Sequence, residues 1–327
     1  MDRRGLTVRP GVGEVAVALD IGGTKVAAGC VDRDGRLLHT VSQPTVLDSP
    51  QALLNAVVAL AADECQRAPG PVVGVGVSMA GAVEPSSGDV RYAPNIPAWR
   101  DVALGRALRD AVELPVAVGF DGHLAALGEH WVGAGRGTQN MVLLVIGTGI
   151  GGGLILDGAL YRGSDNLAGA AGWMVVDPAT VGSRFSRAKG NLESIASGPG
   201  LAEAAGMAAE EALAAARAGD ADAREAIERA ATFLAHAVAG IVSLLNPELV
   251  VLGGGLGSTG AFLQIVRDVV STVAQPTSGR SARIETAQLG ADAGLIGAAR
   301  TVFEQVGSSG SRTQLVAGGK EVRTGES

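Results

Sequence analysis

Cysteine, histidine and aromatic side chains are scarce in this sequence of 327 residues, which holds two cysteines, four histidines and 3% aromatic residues. Cys30 and Cys65 cannot form a disulfide framework, so a reducing compartment is expected. The histidines show no ligand-like spacing to these cysteines, and the sequence therefore predicts no structural zinc site. Together these absences are typical of a cytoplasmic protein.

Long apolar runs and blocks of positive charge are also missing. Glycine, aspartate or another charge interrupts each apolar stretch before the roughly 18 residues of a transmembrane helix, and residues 1–14 lack the apolar segment of a signal peptide. The net charge is −7 at pH 7, and no Lys/Arg-rich run occurs. We therefore expect neither a membrane nor nucleic acid as the main partner.

What the sequence does contain is an alternation of apolar strands and helical patterns, with 47% hydrophobic residues. Residues 15–19 and 26–31 are predicted strands on either side of a glycine turn, and residues 141–146 and 154–156 repeat that order. A chain of this length with such a repeat is typical of two similar domains. The sequence thus predicts an α/β fold with a cleft between the domains.

The remaining elements continue the alternation. Predicted strands cover residues 37–43, 72–77, 116–118, 249–252 and 283–286, and predicted helices cover residues 50–64, 104–111, 123–131, 201–216, 221–245, 265–273 and 293–306. The polar ends of the chain, residues 1–13 and 307–327, are expected to be disordered.

Three glycine-rich turns, each directly after a buried strand, carry the main chemical signal. They occupy residues 20–25, 147–153 and 253–257. Glycine exposes backbone N–H groups with no Cβ in the way, and such N–H groups bind phosphate oxygens. A hydroxyl from Thr24 or Thr148 can donate to a phosphate oxygen, and a carboxylate such as Asp20 can hold a Mg²⁺-bound water.

A single glycine turn would be weak evidence, because hairpins also use glycine. Three such turns, each after a strand, with Asp20, Thr24 and Thr148 among their residues, favour phosphate binding. None of them matches the P-loop pattern, and the dinucleotide fingerprint is not in its strand-to-helix setting.

The three turns resemble the two phosphate segments and the adenosine segment of the actin/hexokinase/Hsp70 ATPase superfamily. Intervening segments at residues 80–81, 94–99 and 133–137 resemble the ROK family of repressors and sugar kinases, and the similarity extends from about residue 15 to residue 299. The resemblance implies a two-domain kinase that binds ATP and Mg²⁺ in the cleft and forms a homodimer.

Each domain of such a kinase has the ribonuclease H-like, actin-like fold. By resemblance the first domain covers residues 14–120 plus 292–306, and the second covers residues 121–291. Asp20 would hold Mg²⁺ through a water molecule. The resemblance further implies that ATP is contacted by Asp20, Gly22, Gly23, Thr24, Lys25, Gly147, Thr148, Gly149, Gly151, Gly254 and Gly255.

The catalytic base of the family is the aspartate of an Asn-Asp-Ala-Asn segment, and here the corresponding residues are 120–123, of which Asp121 alone is kept. A carboxylate is needed because an alcohol is a poor nucleophile until its proton is removed. A helix N-cap is the alternative role for Asp121. His123 replaces an asparagine and is either a substrate or phosphate contact or a surface residue.

The resemblance also marks the acceptor-binding wall. Gly81 and Asn95 are kept, although Asn95 between two prolines also fits a turn. Glu193 is kept as well, and its alternative role is a helix N-terminal acid. The family glutamate and zinc-binding histidine are replaced by Ala170 and Trp173, and the zinc-loop cysteines are absent.

These departures replace polar groups by apolar ones on the acceptor side, with Phe120, Ala170 and Trp173 as the new residues. A pocket that has lost hydrogen-bond partners suits a ligand with fewer or repositioned hydroxyls. Trp173 and Phe120 offer flat faces for ring C–H groups, or they fill the space of the missing zinc ligands.

We therefore expect an ATP-dependent kinase for a primary hydroxyl of a sugar-like ring, with a C7-cyclitol of the valiolone type, from an antibiotic biosynthetic cluster, as the preferred acceptor. A glucokinase or aminohexose 6-kinase is the alternative. A second alternative is a non-catalytic sugar sensor or scaffold. About fourteen residues precede the first strand, too few for the helix-turn-helix of the family repressors.

Overall fold

The computed structural model describes residues 13–183 and 189–317. The strands of this part of the chain are β1 (Val15–Ile21), β2 (Lys25–Asp32), β3 (Leu37–Pro44), β4 (Val72–Met79), β5 (Ala82–Val83), β6 (Val90–Tyr92), β7 (Arg100–Val102), β8 (Val116–Phe120), β9 (Met141–Ile146), β10 (Ile150–Leu156), β11 (Ala159–Tyr161), β12 (Leu249–Gly253) and β13 (Arg283–Thr286). The helices are α1 (Pro50–Arg67), α2 (Leu104–Val112), α3 (Asp121–Val132), α4 (Asn191–Ala196), α5 (Gly198–Ala205), α6 (Ala209–Ala218), α7 (Ala221–Leu245), α8 (Gly254–Gly257), α9 (Gly260–Val273), α10 (Pro276–Ser281) and α11 (Ala293–Ala317).

Two five-stranded sheets have the same topology. The first has the strand order β3-β2-β1-β4-β8, and the second has the order β11-β10-β9-β12-β13. In each sheet the first three strands along the chain pair antiparallel, and the next two add in parallel. The duplication predicted from the strand–turn–strand repeat is confirmed, and the fold is mixed α/β with two actin-like halves.

Helix α3 lies between the two sheets and packs against both. Its Leu124 and Leu127 share a buried cluster with β1 and α11, whereas its Ala126 belongs to a cluster with β9, β10 and β12. The backbones of α3 and α11 come so close that a Cβ on Gly297 would clash with the Leu124 carbonyl oxygen. The N-terminus of α3 is therefore fixed at the junction of the two halves.

Helix α7 is long and apolar enough to cross a membrane by length and composition alone. In the structure 56% of that apolar window is buried, and α7 packs against α6 and α9 as the central helix of the second half. Its bounds, Ala221–Leu245, are those expected from the sequence.

Two sequence predictions are corrected by the structure. The single helix expected over residues 201–216 is two helices, α5 and α6, because Gly206 adopts φ of 66° and ends α5. Helix α11 continues to Ala317, beyond the end expected at residue 306, and the disorder expected for the end of the chain stays a prediction. An existing helix extends without a new nucleation cost, and polar composition alone does not stop it. The remaining expected disorder, over residues 1–12 and 318–327, lies outside the described residues.

A small sheet of β5, β6 and β7 was not anticipated. Its strands have two or three residues each, too few for a period-two pattern to be visible in the sequence. The chain between β6 and β7 carries Asn95, and this sheet determines where that residue lies.

Candidate active site

The first glycine turn joins β1 to β2 and is closed by its own backbone. The Gly22 N–H donates to the Lys25 carbonyl oxygen at 3.0 Å. Thr45 holds the turn from outside, since its N–H donates to the Thr24 carbonyl and its hydroxyl donates to the Gly22 carbonyl at 2.8 Å. The side chains of Thr24 and Lys25 remain exposed and are available to a phosphate group.

Asp20 precedes this turn on β1, and its carboxylate faces the first turn of α11. Burial raises the pKa of Asp20 above its usual range, while the nearby Ser78 hydroxyl and the Lys25 charge oppose that rise. The Ser78 side chain is fully buried, and its hydroxyl lies beside the Asp20 carboxylate. A Cβ on Gly294 would lie 3.3 Å from Asp20 Oδ1, so glycine keeps the helix N-terminus close to this carboxylate.

Ser78 and Gly294 are site residues that the sequence analysis missed. The signal for Ser78 was a single polar residue near the end of the apolar strand β4, whose last six residues are all buried. For Gly294 no local signal existed, because its role depends on the approach of α11 to β1.

Asp121 is the first residue of α3, which begins two residues earlier than predicted. Phe120 occupies the N-cap position, so Asp121 is not the N-cap. Its carboxylate accepts a hydrogen bond from the Gly122 N–H at 2.7 Å. Burial, joined by the negative charge of Asp20, raises the pKa of Asp121 to about 7. A carboxyl group with this pKa can exchange a proton at neutral pH, as a general base must.

His123 is fully buried, so its interpretation as a surface residue is wrong. Its Nε2 lies 2.7 Å from the Ala168 carbonyl oxygen, and its ring packs edge-on against Phe120 with centroids 5.2 Å apart. Burial lowers the pKa of His123, and the charge of Arg162 lowers it further. The neutral ring thus connects α3 to the segment that leads to Ala170, while its Nδ1 has no hydrogen-bond partner among the described residues.

The second glycine turn joins β9 to β10 and is braced by Glu193 from α4. The Ile150 N–H donates to Glu193 Oε2 at 2.8 Å, and a Cβ on Gly149 would lie 2.8 Å from the same oxygen. Gly147 accepts from the Gly198 N–H at 2.8 Å. Burial raises the pKa of Glu193. Glu193 lies in the first turn of α4, as its alternative role of helix N-terminal acid requires, and its role as an acceptor contact stays a prediction.

The remaining members of this turn differ in exposure and packing. The Thr148 side chain is exposed, and the ring of Phe120 would lie 3.9 Å from a Cβ on Gly151. Phe120 thereby brings the start of α3 to the second turn.

The third glycine turn ends β12 and begins α8. Gly254 has φ of 79°, and a Cβ there would clash with the Ile146 carbonyl oxygen. Gly255, in contrast, faces open space, since a Cβ there would have no atom of the described residues within 4 Å. One glycine is therefore required by the fold, and the other leaves free volume at the surface of the turn.

Asn95 lies directly against the first glycine turn. A Cβ on Gly23 would lie 2.6 Å from the Asn95 carbonyl oxygen and 2.8 Å from its Cβ. Gly81 allows an equally close approach of the Tyr92 carbonyl. The small sheet thus brings a candidate acceptor contact, Asn95, next to a candidate phosphate contact.

Ala170 is the N-cap of a short 3₁₀ turn, Ala171–Trp173, and Trp173 is its last residue; the turn lies near Glu193. Gly172 packs against the Ile150 carbonyl and the Glu193 side chain. Trp173 is 60% exposed, so it does not fill a space in the core. Its indole face is available to a ligand.

The side chain of Asn191 stabilises the loop before α4. Its Oδ1 accepts from the N–H groups of Val176 and Asp177, and its Nδ2 donates to Thr180 Oγ1 at 2.9 Å. These bonds hold residues 176–180, which precede the segment that corresponds to the family's zinc loop. Residues 184–188 of that loop lie outside the described part of the chain.

Comparisons with known proteins agree with this geometry. The ROK family model matches residues 16–305. A glucokinase of Halalkalibacterium halodurans is 32% identical over 89% of this chain and 96% of its own length. A ROK hexokinase from Thermus thermophilus superposes with a TM-score of 0.79 at 30% identity, over 90% of this chain and 99% of its own. A ROK family glucokinase from Streptomyces griseus, in complex with glucose and AMPPNP, has a TM-score of 0.74 at 30% identity, over 88% and 98%.

Proposed function

The chain belongs to the ROK family, and from that premise we propose that it transfers the γ-phosphoryl group of ATP to a primary hydroxyl of a sugar-like ring, with Asp121 as the base. The observation that carries the proposal is the position of Asp121 at the start of α3, near Asp20 and against the second glycine turn, where burial raises its pKa to about 7. The protein is a phosphotransferase with an alcohol group as acceptor and ATP as donor.

The chemical step uses one carboxylate of this chain. The Asp121 carboxylate takes the proton of the acceptor hydroxyl, whose oxygen forms the new bond to the γ-phosphorus while the bond to the β-phosphate oxygen breaks. ADP leaves with that electron pair. The Gly122 N–H holds the Asp121 carboxylate in place through the 2.7 Å hydrogen bond.

Asp20 and the first two turns are proposed to position the phosphates. Oxygen donors and exposed backbone N–H groups suit Mg²⁺ and phosphate, and Asp20 supplies a half-buried carboxylate next to a helix N-terminus. When bound, Mg²⁺ would neutralise charge that develops on the transferred group. Glu193 would keep the second turn in its closed shape through the Ile150 N–H.

The preferred acceptor is a C7-cyclitol of the valiolone type, and plain glucose is the alternative. Support comes from the acceptor wall, where Ala170 has no hydrogen-bonding side chain and the exposed indole of Trp173 offers a flat apolar face. A pocket built to bind hydroxyls leaves its polar groups unpaired when the ligand lacks those hydroxyls. A pocket without such polar groups therefore favours a ligand with fewer hydroxyls. The product would belong to a biosynthetic route of an antibiotic.

We also propose the assembly and organisation that the family resemblance implies. The protein would be a cytoplasmic homodimer whose domains span residues 14–120 plus 292–306 and residues 121–291. A non-catalytic sensor or scaffold remains the competing function, since several acceptor positions are altered.

An ADP-release assay against C7-cyclitols, glucose and aminoglucoses tests the acceptor. We expect a higher kcat/KM for a cyclitol than for glucose. The double variant Ala170→Glu/Trp173→His restores the polar residues and should shift the preference toward glucose. A wild-type kcat/KM that is highest for glucose would contradict the cyclitol proposal and favour the glucokinase alternative.

A further inference from the structure

A second cluster of ligand-type side chains lies away from the glycine turns, on the first sheet. In the described residues Cys30 Sγ, a His39 ring nitrogen and a Glu64 carboxylate oxygen all lie within 4.8 Å of one another. The three residues come from β2, β3 and α1. Their sequence spacing indicated nothing, because no two of them belong to one element.

The sheet register brings the first two ligands together. Cys30 and His39 are directly opposite residues of the antiparallel β2–β3 pair, so their side chains project from the same face. Gly29 allows the His39 carbonyl to approach β2 more closely than any side chain there would permit. The backbone at His39 is therefore fixed against Cys30.

Helix α1 supplies the third ligand from its buried face. Leu53, Val57, Ala61 and Glu64 form this face, and the first three belong with Cys30 to one hydrophobic cluster. A carboxylate at such a position is unusual, since burying a charge without a partner is costly. The Glu64 side chain is only 1% exposed, and its partner is His39 Nε2, at 2.5 Å.

We propose that Cys30, His39 and Glu64 bind a single Zn²⁺ ion, with the fourth position open to water on the His39 side. Thiolate, imidazole and carboxylate are the three ligand types that Zn²⁺ uses in proteins, and tetrahedral coordination places ligand atoms roughly 3–4 Å apart. The ligand atoms of the cluster lie within 4.8 Å of one another, close to that spacing. The His39 side chain is 35% exposed and gives the ion a route from solvent.

Binding would release the thiol proton of Cys30 to solvent and replace the direct His39–Glu64 contact with two bonds to the metal. The bound ion would also connect secondary-structure elements of the first half. Strand β3 is the edge strand of the first sheet, and the ion would tie it across β2 to helix α1. This site is independent of the proposed kinase activity and lies apart from the segment that corresponds to the family's zinc loop.

Co²⁺ is the probe for this site, because a thiolate ligand produces a charge-transfer absorption that oxygen ligands such as Asp20 do not. The reduced full-length protein, freed of metal, is titrated with Co²⁺ and then with Zn²⁺. We expect one equivalent of Co²⁺ to give the thiolate band, Zn²⁺ to abolish it, and Mg²⁺ to leave it unchanged.

Two variants and a matched control locate the ligands. Cys30→Ser should lose the band, and His39→Gln, at a partly exposed position, should weaken Co²⁺ binding by about 100-fold or more because one of three ligands is gone. Cys65→Ser is the control, since Cys65 adjoins Glu64 in the sequence but lies outside the cluster, and it should keep the band.

Thermal unfolding gives a second readout that does not depend on the Cys30 variant folding. Zn²⁺ should raise the Tm of the wild type and of Cys65→Ser, and it should leave the Tm of His39→Gln unchanged. The proposal is overturned by the absence of a saturable thiolate band, by a band that survives in Cys30→Ser, or by one that is lost in Cys65→Ser.

Discussion

At the residue scale, the protonation of Asp121 links the chemistry of the site to its stability. Its carboxyl is half-buried at the start of α3, and desolvation together with the Asp20 charge raises its pKa to about 7. The folded protein therefore binds a proton at this position over a pH range in which an unfolded chain does not. Both activity and unfolding free energy should depend on pH for this reason.

The base must be unprotonated to accept the hydroxyl proton, so kcat/KM should rise with pH through about 7 and then level off. A pH profile of kcat/KM measures the group in the free enzyme. A kcat/KM that stays constant between about pH 5.5 and about pH 8.5 would contradict the assignment of Asp121 as the base.

The contribution of Asp121 to the free energy of unfolding should change with pH in the opposite direction to kcat/KM. Since the pKa of Asp121 is higher in the folded than in the unfolded state, its contribution to stability is lost as the pH rises through about 7. Asp121→Asn should therefore increase the free energy of unfolding at pH 8, by on the order of 1–3 kcal/mol after allowance for solvent screening. Urea unfolding at pH 5 and pH 8 checks this, and a variant less stable than the wild type at pH 8 would disagree with it.

Two variants of Glu193 can distinguish the effect of its negative charge from the effect of its hydrogen bond with the Ile150 N–H. Glu193→Gln retains an oxygen that can accept from the Ile150 N–H, whereas Glu193→Ala does not. If Glu193 serves to position the second turn, the alanine variant should raise the KM for ATP several-fold and the glutamine variant should behave like the wild type. Equal losses in both variants would instead assign its role to the negative charge.

At the element scale, the crossing of α3 and α11 holds Asp121 and Asp20 near each other. Gly297→Ala should force these helices apart, because its Cβ would meet the Leu124 carbonyl oxygen, and the expected loss of unfolding free energy is about 1–3 kcal/mol. Gly240→Ala is the matched control. Gly240 is exposed on α7 with free space around it, so alanine there should add about 0.5–1 kcal/mol. Chemical unfolding of both variants checks the contrast, and a stable Gly297→Ala variant would contradict it.

The third turn offers a second contrast between neighbouring glycines. Gly254→Ala should destabilise the protein, because φ is positive there and the Ile146 carbonyl blocks a Cβ. Gly255→Ala should leave the Tm unchanged and raise the KM for ATP, since its methyl group would occupy open volume at the proposed adenosine contact. An unchanged KM for ATP in Gly255→Ala would remove Gly255 from the nucleotide site.

The elements that could be predicted from the sequence are those with a strong local pattern. The hairpin of β1 and β2, the bounds of α7 and the glycine turns depend on periodicity and on glycine, which neighbouring residues make visible. The two- and three-residue strands β5 to β7 have no such pattern. The break at Gly206 depends on one backbone torsion inside an alanine-rich stretch that otherwise favours a helix.

At the scale of the whole molecule, the duplicated topology explains why residues remote in sequence share a site. Matching sheets present β1 with its turn and β9 with its turn, and α3 connects them. The proximity of Asp20 to Asp121, and of Cys30 to Glu64, follows from packing between elements. Spacing along the chain indicates neither approach: the family resemblance alone implied that Asp20 and Asp121 share a cleft, and nothing in the sequence indicated that Cys30 and Glu64 lie close together.

In the proposed reaction Asp121 removes the acceptor proton, in a site that binds ATP independently of this residue. The most direct measurement compares ADP release by the wild type and by Asp121→Asn, with ATP–Mg²⁺ and the best acceptor of the panel, alongside nucleotide titrations of both proteins. We expect comparable ATP binding and a kcat that is lower in Asp121→Asn by about 100- to 10,000-fold. Acceptor-dependent ADP release that is equal in the two proteins would contradict the role of Asp121, and ATP binding without turnover on any acceptor would favour the sensor or scaffold.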